Sequence, residues 1–173
     1  ARRQVADLVG AVARNVIFTG GGTEADNLAL RGFLPRRLIV SGIEHGAILS
    51  PALLLDRDAI IVDVDAQGRI KLDALKVALE ATEGPALVSL MLANNETGVI
   101  QPVAEAAAIA HEYGALVHCD AIQGAGKIPV DIEALGVDLM SISAHKFGGP
   151  QGVGALVMRE DRTILAQMAG VQT

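Results

Sequence analysis

Short apolar runs and helix-period segments alternate along almost the whole chain. Runs rich in Val, Ile and Leu occur at 15–19 (NVIFT), 37–41 (RLIVS), 59–64 (AIIVDV), 86–92 (ALVSLML), 115–119 (ALVHC), 137–142 (VDLMSI) and 153–158 (VGALVM). Most are apolar throughout rather than at every second position, as strands buried on both faces require. Between them lie helical patterns at 2–13, 23–32, 46–54, 72–82 and 103–113. The last of these has Pro102 at its first turn and Gly114 just past its end, the usual punctuation of a helix. Alternating strands and helices predict an α/β three-layer sandwich, with a mostly parallel mixed sheet of about seven strands. The last two runs have only a glycine-rich turn between them and are expected to pair antiparallel. No linker divides the chain, so residues 1–173 read as one domain.

Composition narrows the function. With 14 Lys and Arg against 20 Asp and Glu, the net charge is −6, and no basic stripe is offered to nucleic acid. One Tyr, three Phe and no Trp leave little for base stacking. Cys119 is the only cysteine, which rules out an intrachain disulfide and a clustered thiolate metal site. That suits a reducing compartment. No apolar run reaches the roughly 18 residues of a membrane span, and the start, ARRQVADLVGAV, lacks the form of a signal peptide. The expectation is a cytoplasmic protein whose partners are small molecules or other proteins. The chain has no initiator Met and stops at GVQT, which suggests a piece of something longer.

In open parallel sheets ligands gather where strands end. After NVIFT comes Gly20-Gly21-Gly22-Thr23 at a helix start. This is an anion cradle by backbone N–H and dipole, or equally a flexible turn with Thr23 as N-cap. The spacing fits neither dinucleotide nor P-loop patterns. After RLIVS, His45 sits where a loop runs into a helix, as cap or as catalyst. After ALVSLML come Asn94 and Asn95, ordinary turn residues by themselves. Asp120 ends the ALVHC run, where a carboxylate needs a cation, several donors, or an N-cap role. Cys119 points the opposite way along the pleat, into the core. Ser143, His145 and Lys146 end the next run. A lysine between two buried strands must be solvated, paired or covalently used. An amine for a Schiff base, a carboxylate for a pyridinium nitrogen and a phosphate cradle together are what pyridoxal 5'-phosphate demands.

Five segments, FTGGGTEADNLAL, EHGAILSP, LANNETGVIQPV, HCDAIQGAGKIPVDI and SISAHKFGGPQGVGAL, closely resemble, in order, the motifs of the cysteine desulfurases. These are class V members of the fold-type-I pyridoxal-phosphate enzymes. The resemblance implies the large domain of such an enzyme, acting on L-cysteine to give L-alanine and a persulfide for sulfur transfer or iron–sulfur cluster assembly. By resemblance Lys146 is the cofactor-binding and proton-moving lysine, and His45 the acid–base histidine stacked on the ring. Asp120 matches the carboxylate facing the pyridine nitrogen. Gln123 matches the amide on the phenolic oxygen, and Asn95 the asparagine near that oxygen and the substrate. Gly22, Thr23, Ser143 and His145 match the phosphate contacts. A homodimer, with a phosphate site completed by the second subunit, and a sulfur-acceptor or scaffold protein are the implied partners.

The departures are expectations too. Gly20 stands where the family usually has Ser. The family's N-terminal arm and small C-terminal domain, with its loop cysteine and substrate-clamping arginine, are missing from these 173 residues. Cys119 matches a strand residue and does not replace that cysteine. A selenocysteine lyase or other class V lyase, and a truncated non-catalytic cofactor- or partner-binding protein, are the alternative readings.

Overall fold

The runs apolar throughout become strands with no exposed member. In the computed structural model, which describes residues 1–33 and 36–165, every residue of β4 (Ala86–Met91), β5 (Leu116–Asp120), β6 (Leu139–Ser143) and β7 (Gly154–Met158) is buried. With β1 (Val16–Thr19), β2 (Arg37–Ser41) and β3 (Ile60–Val62) they form one seven-stranded sheet in the order β1-β7-β6-β5-β4-β2-β3. Only β7 is reversed: it runs antiparallel to both β1 and β6, and the other pairings are parallel. The expected α/β sandwich and the expected antiparallel final pair are both present.

The pleat sends alternate side chains to two separate cores. On one face α2 (Gly22–Gly32) and α3 (Gly46–Leu55) cover Leu38, Val40, Leu87, Leu116, Leu139 and Leu156. On the other, α1 (Arg2–Leu8), α4 (Leu72–Glu80), α5 (Val103–Glu112) and α6 (Ile132–Leu135) cover Ile39, Val88, Leu90, Val117, Met140 and Val157. Among the described residues no helix is long and apolar enough to cross a membrane.

Three local expectations shift. The helix read over 2–13 stops at Leu8, because the chain turns at Gly10 with φ +68°. A Cβ there would lie 2.4 Å from the Asp131 carboxylate. The strand read over 59–64 keeps only Ile60–Val62, at the sheet edge. A helix not anticipated, α6, lies between β5 and β6. Asp131 caps it by accepting from Glu133 and Ala134 N–H, both at 2.9 Å, and Gly136 ends it in the left-handed region. Four residues are too few for a helical period to show. The closing GVQT lies outside the described residues.

Charge fastens the sheet end away from the carboxyl termini of the parallel strands. Buried Asp138, just before β6, accepts from Val117 N–H (2.8 Å), His111 Nε2 (2.9 Å), Arg159 (3.1 Å) and Arg162 (3.0 Å). A buried carboxylate with this many donors is a joint rather than a reactive group. At the other end the Gly20–Gly22 loop rests on β7. A Cβ on Gly154 would come within 2.5–2.8 Å of Gly21 backbone atoms. Backbone must move there, not a flexible side-chain tip. Gly154→Ala is expected to cost about 2 kcal/mol, read as a fall in urea midpoint. A loss below roughly 0.5 kcal/mol would mean that this loop is not seated on the strand.

Candidate functional site

The sheet brings every candidate residue to one place. Gly22, Thr23, His45, Asn95, Asp120, Gln123, Ser143, His145 and Lys146 all line a single cavity of about 300 Å³ at the carboxyl ends of the parallel strands. That volume is at the lower end of small-molecule sites, roughly 300–1,000 Å³. Four further residues, Asp26, Ala47, Met91 and Ile122, complete its wall.

The cradle begins at the end of β1. The N-cap of α2 is Gly21, with no side-chain cap, so Thr23 is the second helical residue and its hydroxyl is not spent on capping. Glu24 instead reaches back and accepts from Gly20 N–H at 2.6 Å, while Thr19 Oγ1 donates to Gly21 O at 2.9 Å. These bonds hold the loop so that the first N–H groups of an eleven-residue helix open on the cavity. A Cβ on Gly22 would lie 2.2 Å from Ile122 Cδ1 and 3.3 Å from Ser143 Cβ. The helix start therefore sits directly against the β5 and β6 ends. From the β6 side come Ser143 and His145, joined Oγ to Nδ1 at 3.0 Å.

His45 serves two ends of its ring. It is the N-cap of α3, with Nδ1 accepting from Ala47 N–H at 3.1 Å. An Nδ1 that accepts is unprotonated, so the hydrogen of the neutral ring is on Nε2. The loop carrying it is docked by Glu44, whose Oε1 accepts from Met91 N–H at the end of β4 at 2.7 Å. Asn94 Nδ2 adds a bond to Ile43 O at 3.2 Å, and its Oδ1 accepts from Glu96 and Thr97 N–H. The two asparagines divide the work: Asn94 makes the turn, and Asn95 reaches the cavity.

The floor of the site is acidic and its acids are buried. Asp120 is 5% exposed and spends one oxygen on Ile122 N–H at 2.9 Å, so it is cap and cavity group at once. Burial raises its pKa, opposed by the Ile122 bond and the charges of His45 and Lys146. Asp26 is fully buried on α2, beside the Ser141 hydroxyl. It is pushed up to about 8, first by burial and then by the charge of Asp120, with the Ser141 hydroxyl opposing. Glu44 is raised well above its ordinary value by burial and then by Asp120. Beside them His118 is clamped between Ser89 and Ser141, both at 2.9 Å, with Nε2 3.8 Å from Asp26. Burial pushes it down to about 3, so it adds no positive charge. Lys146 is half-buried and makes no hydrogen bond or ion pair among the described residues.

Sequence reasoning missed Asp26, Glu44 and His118. Asp26 reads as one polar position in an amphipathic helix, and only the signal of alternating polar residues along β5 (His118, Asp120) hinted at a polar face. Cys119 is fully buried in the opposite core, its thiol raised by burial first.

The wall fits pyridoxal phosphate. Helix N–H groups and hydroxyls suit a phosphate, an unpaired amine suits an aldehyde, and a buried carboxyl with one oxygen unspent suits a pyridinium nitrogen. No group of His, Cys, Asp and Glu able to hold a metal occurs among the described residues.

The buried acids make stability depend on pH with a definite sign. Asp26 keeps its proton up to about pH 8 when folded, whereas an unfolded chain releases it near 3.8. Between those values the unfolded state binds fewer protons, so stability falls as pH rises. His118, at about 3 when folded against 6.5 unfolded, acts oppositely below 6.5. The fall should therefore emerge between about pH 6.5 and 8. Thermal melts of the cofactor-free chain should show it, and Asp26→Asn should make it shallower, with buried Glu44 supplying the remainder in the same direction. An unchanged slope in that variant would show that Asp26 is ionised in the fold.

The family described as aminotransferase class-V matches residues 1–172. An "IscS-like cysteine desulfurase" of Mycobacterium tuberculosis is 43% identical over 183 residues, covering 98% of this chain and 47% of that protein. Among solved structures, a NifS-like protein from Rickettsia africae superposes with a TM-score of 0.91 at 36% identity, over 98% of this chain and 48% of that one. SspA, solved in complex with cysteine, does so with a TM-score of 0.87 at 30% identity, over 98% and 52%. The chain thus spans about half the length of these relatives. Strand order, cavity and sequence together place it: the chain belongs to the class-V aminotransferase family.

Proposed function

We propose that this chain is the cofactor-binding part of the large domain of a cysteine desulfurase, an enzyme taking sulfur from L-cysteine with pyridoxal phosphate. The observation that carries this reading is an unpaired, half-buried lysine amine sharing one small cavity with a buried aspartate and a helix-start anion cradle. Similarity to an IscS-like cysteine desulfurase and to SspA, solved in complex with cysteine, supports the substrate.

In this reading Thr23, the first N–H groups of α2, Ser143 and His145 bind the phosphate. Lys146 would hold the cofactor through its amine and would move the proton at the substrate's α-carbon. Asp120 would face the ring nitrogen, and Gln123 and Asn95 would hold the phenolic oxygen. His45 exchanges a proton at Nε2 while Nδ1 stays engaged by the backbone. When bound, pyridoxal phosphate supplies an electron sink for the carbanion of the substrate. Sulfur transfer needs a thiolate, and Cys119 does not offer one: it is buried on the far face of the sheet, and its environment disfavours the anion. The accepting thiol therefore belongs to residues outside this chain, on the same protein or another. A second copy is the expected partner, in keeping with α3 leaving Leu53 and Leu54 exposed, 49% and 79%. A sulfur acceptor for iron–sulfur assembly, and a place in the cytoplasm, follow from the same reading.

Pyridoxal phosphate added to the chain should give a visible band that borohydride fixes to the peptide holding Lys146. Lys146→Ala should abolish the fixation; a cofactor still fixable in that variant would sink the lysine assignment. The chain alone should release negligible alanine and sulfide from cysteine. Sustained turnover would show that the accepting group is within these 173 residues after all.

A further inference from the structure

Gln123 lines two spaces at once, the main cavity and an adjoining open groove whose wall includes Lys127. Its amide has two unlike ends, a carbonyl that accepts and an NH₂ that donates. Lys127 Nζ donates to Gln123 Oε1 at 2.8 Å. An ammonium has donors only, so its partner is the carbonyl end, whichever way the amide would otherwise be turned. With Oε1 engaged by Lys127, the NH₂ is the end left free, and it has no protein acceptor among the described residues.

The backbone is built to place Lys127 there. Gly124 and Ala125 N–H both bond Ala121 O, at 3.0 and 2.9 Å, and Lys127 and Ile128 N–H both bond Gly124 O, at 3.0 and 3.1 Å. This curl stacks residue 127 over residue 123, at the i, i+4 spacing where side chains meet. Gly126, at φ +74°, seals it: a Cβ there would lie 2.5 Å from Phe147 Cβ, the residue after Lys146. Asp120, Gln123 and Lys127 thus ride on one hydrogen-bonded loop packed against the lysine segment.

We infer that Lys127 is a positioning residue that turns the Gln123 amide so that a donor, not an acceptor, faces the cavity. The occupant must then present an electron-rich oxygen at that point. The inference rests on the cofactor reading, under which that oxygen is the phenolic one. A donor there stabilises its ionised form and holds down the pH at which the visible band interconverts. Without the ammonium, the amide is free to offer either end.

The test compares the full chain with Lys127→Met, which keeps the stem, and Lys127→Arg, which keeps a donor. Pyridoxal-phosphate affinity and the pH midpoint of the visible band are both measured. Because the pair is exposed, the loss of one modest hydrogen bond is expected, about threefold to tenfold in Kd. The midpoint should rise in Lys127→Met, with Lys127→Arg restoring both and the melting temperature unmoved. In a Gln123→Ala background, Lys127→Met should add nothing. Equal affinity and midpoint in Lys127→Met overturn the inference, as does an undiminished effect in the Gln123→Ala background. So does a failure of Lys127→Arg to rescue. A wild-type chain that gives no band fixable at Lys146 defeats the cofactor reading itself, and the inference with it.

Discussion

Asp120 ends a strand with no exposed residue, and the need to answer its carboxyl organises everything around it. A parallel sheet covered on both faces forces polar chemistry to the strand ends, because nothing polar is affordable in between without a partner. Here the ends supply more acid than the protein neutralises. The charge of Asp120 raises the proton affinity of both Asp26 and Glu44, and the histidine among them is neutral. Cationic relief comes from the cavity side, where Lys146 and His45 already lower the pKa of Asp120. A ring nitrogen carrying a proton would complete that relief. Burial, which first reads as a packing matter, is thus also what favours a cationic group beside Asp120 under the proposed reading.

Much of this was legible because period and position are independent signals. Runs apolar throughout announced strands, their ends announced the site, and the nine residues named from those ends and the family resemblance together share one wall. The neighbour relations were not legible: that β1 joins β7 at the sheet edge depends on which strands meet across the whole chain. Asp26 escaped for a related reason. Its polarity satisfies the amphipathic pattern of α2, and only the docking of that helix beneath the cavity reveals that the polar side is turned inward. The early end of α1 was written in Gly10, and the Asp131 carboxylate, far away in sequence, is what leaves no room for a side chain there.

Several positions showed that capping and chemistry do not compete when they use different atoms. His45 caps with Nδ1 and keeps Nε2 for the cavity. Asp120 closes a local turn with one oxygen and keeps the other. Weighing a cap against a catalyst at such positions poses a false choice, since the cap is what fixes the ring or carboxyl in place. Orientation fixed by local bonds is the condition for positioning reactive groups without later reorganisation.

Cys119 shows the same geometry from the negative side. It adjoins Asp120 in sequence, yet the pleat sends it to the opposite core, with the sheet itself between thiol and cavity. No side-chain rotation crosses that barrier, and its surroundings, dry and acidic, disfavour the thiolate that is the reactive form. If sulfur is transferred at this site, the accepting thiol has to approach through the cavity's open mouth, carried by a segment free to move. A rigid sheet that fixes the cofactor groups cannot also supply that movement. On physical grounds the two tasks belong to separate structural elements.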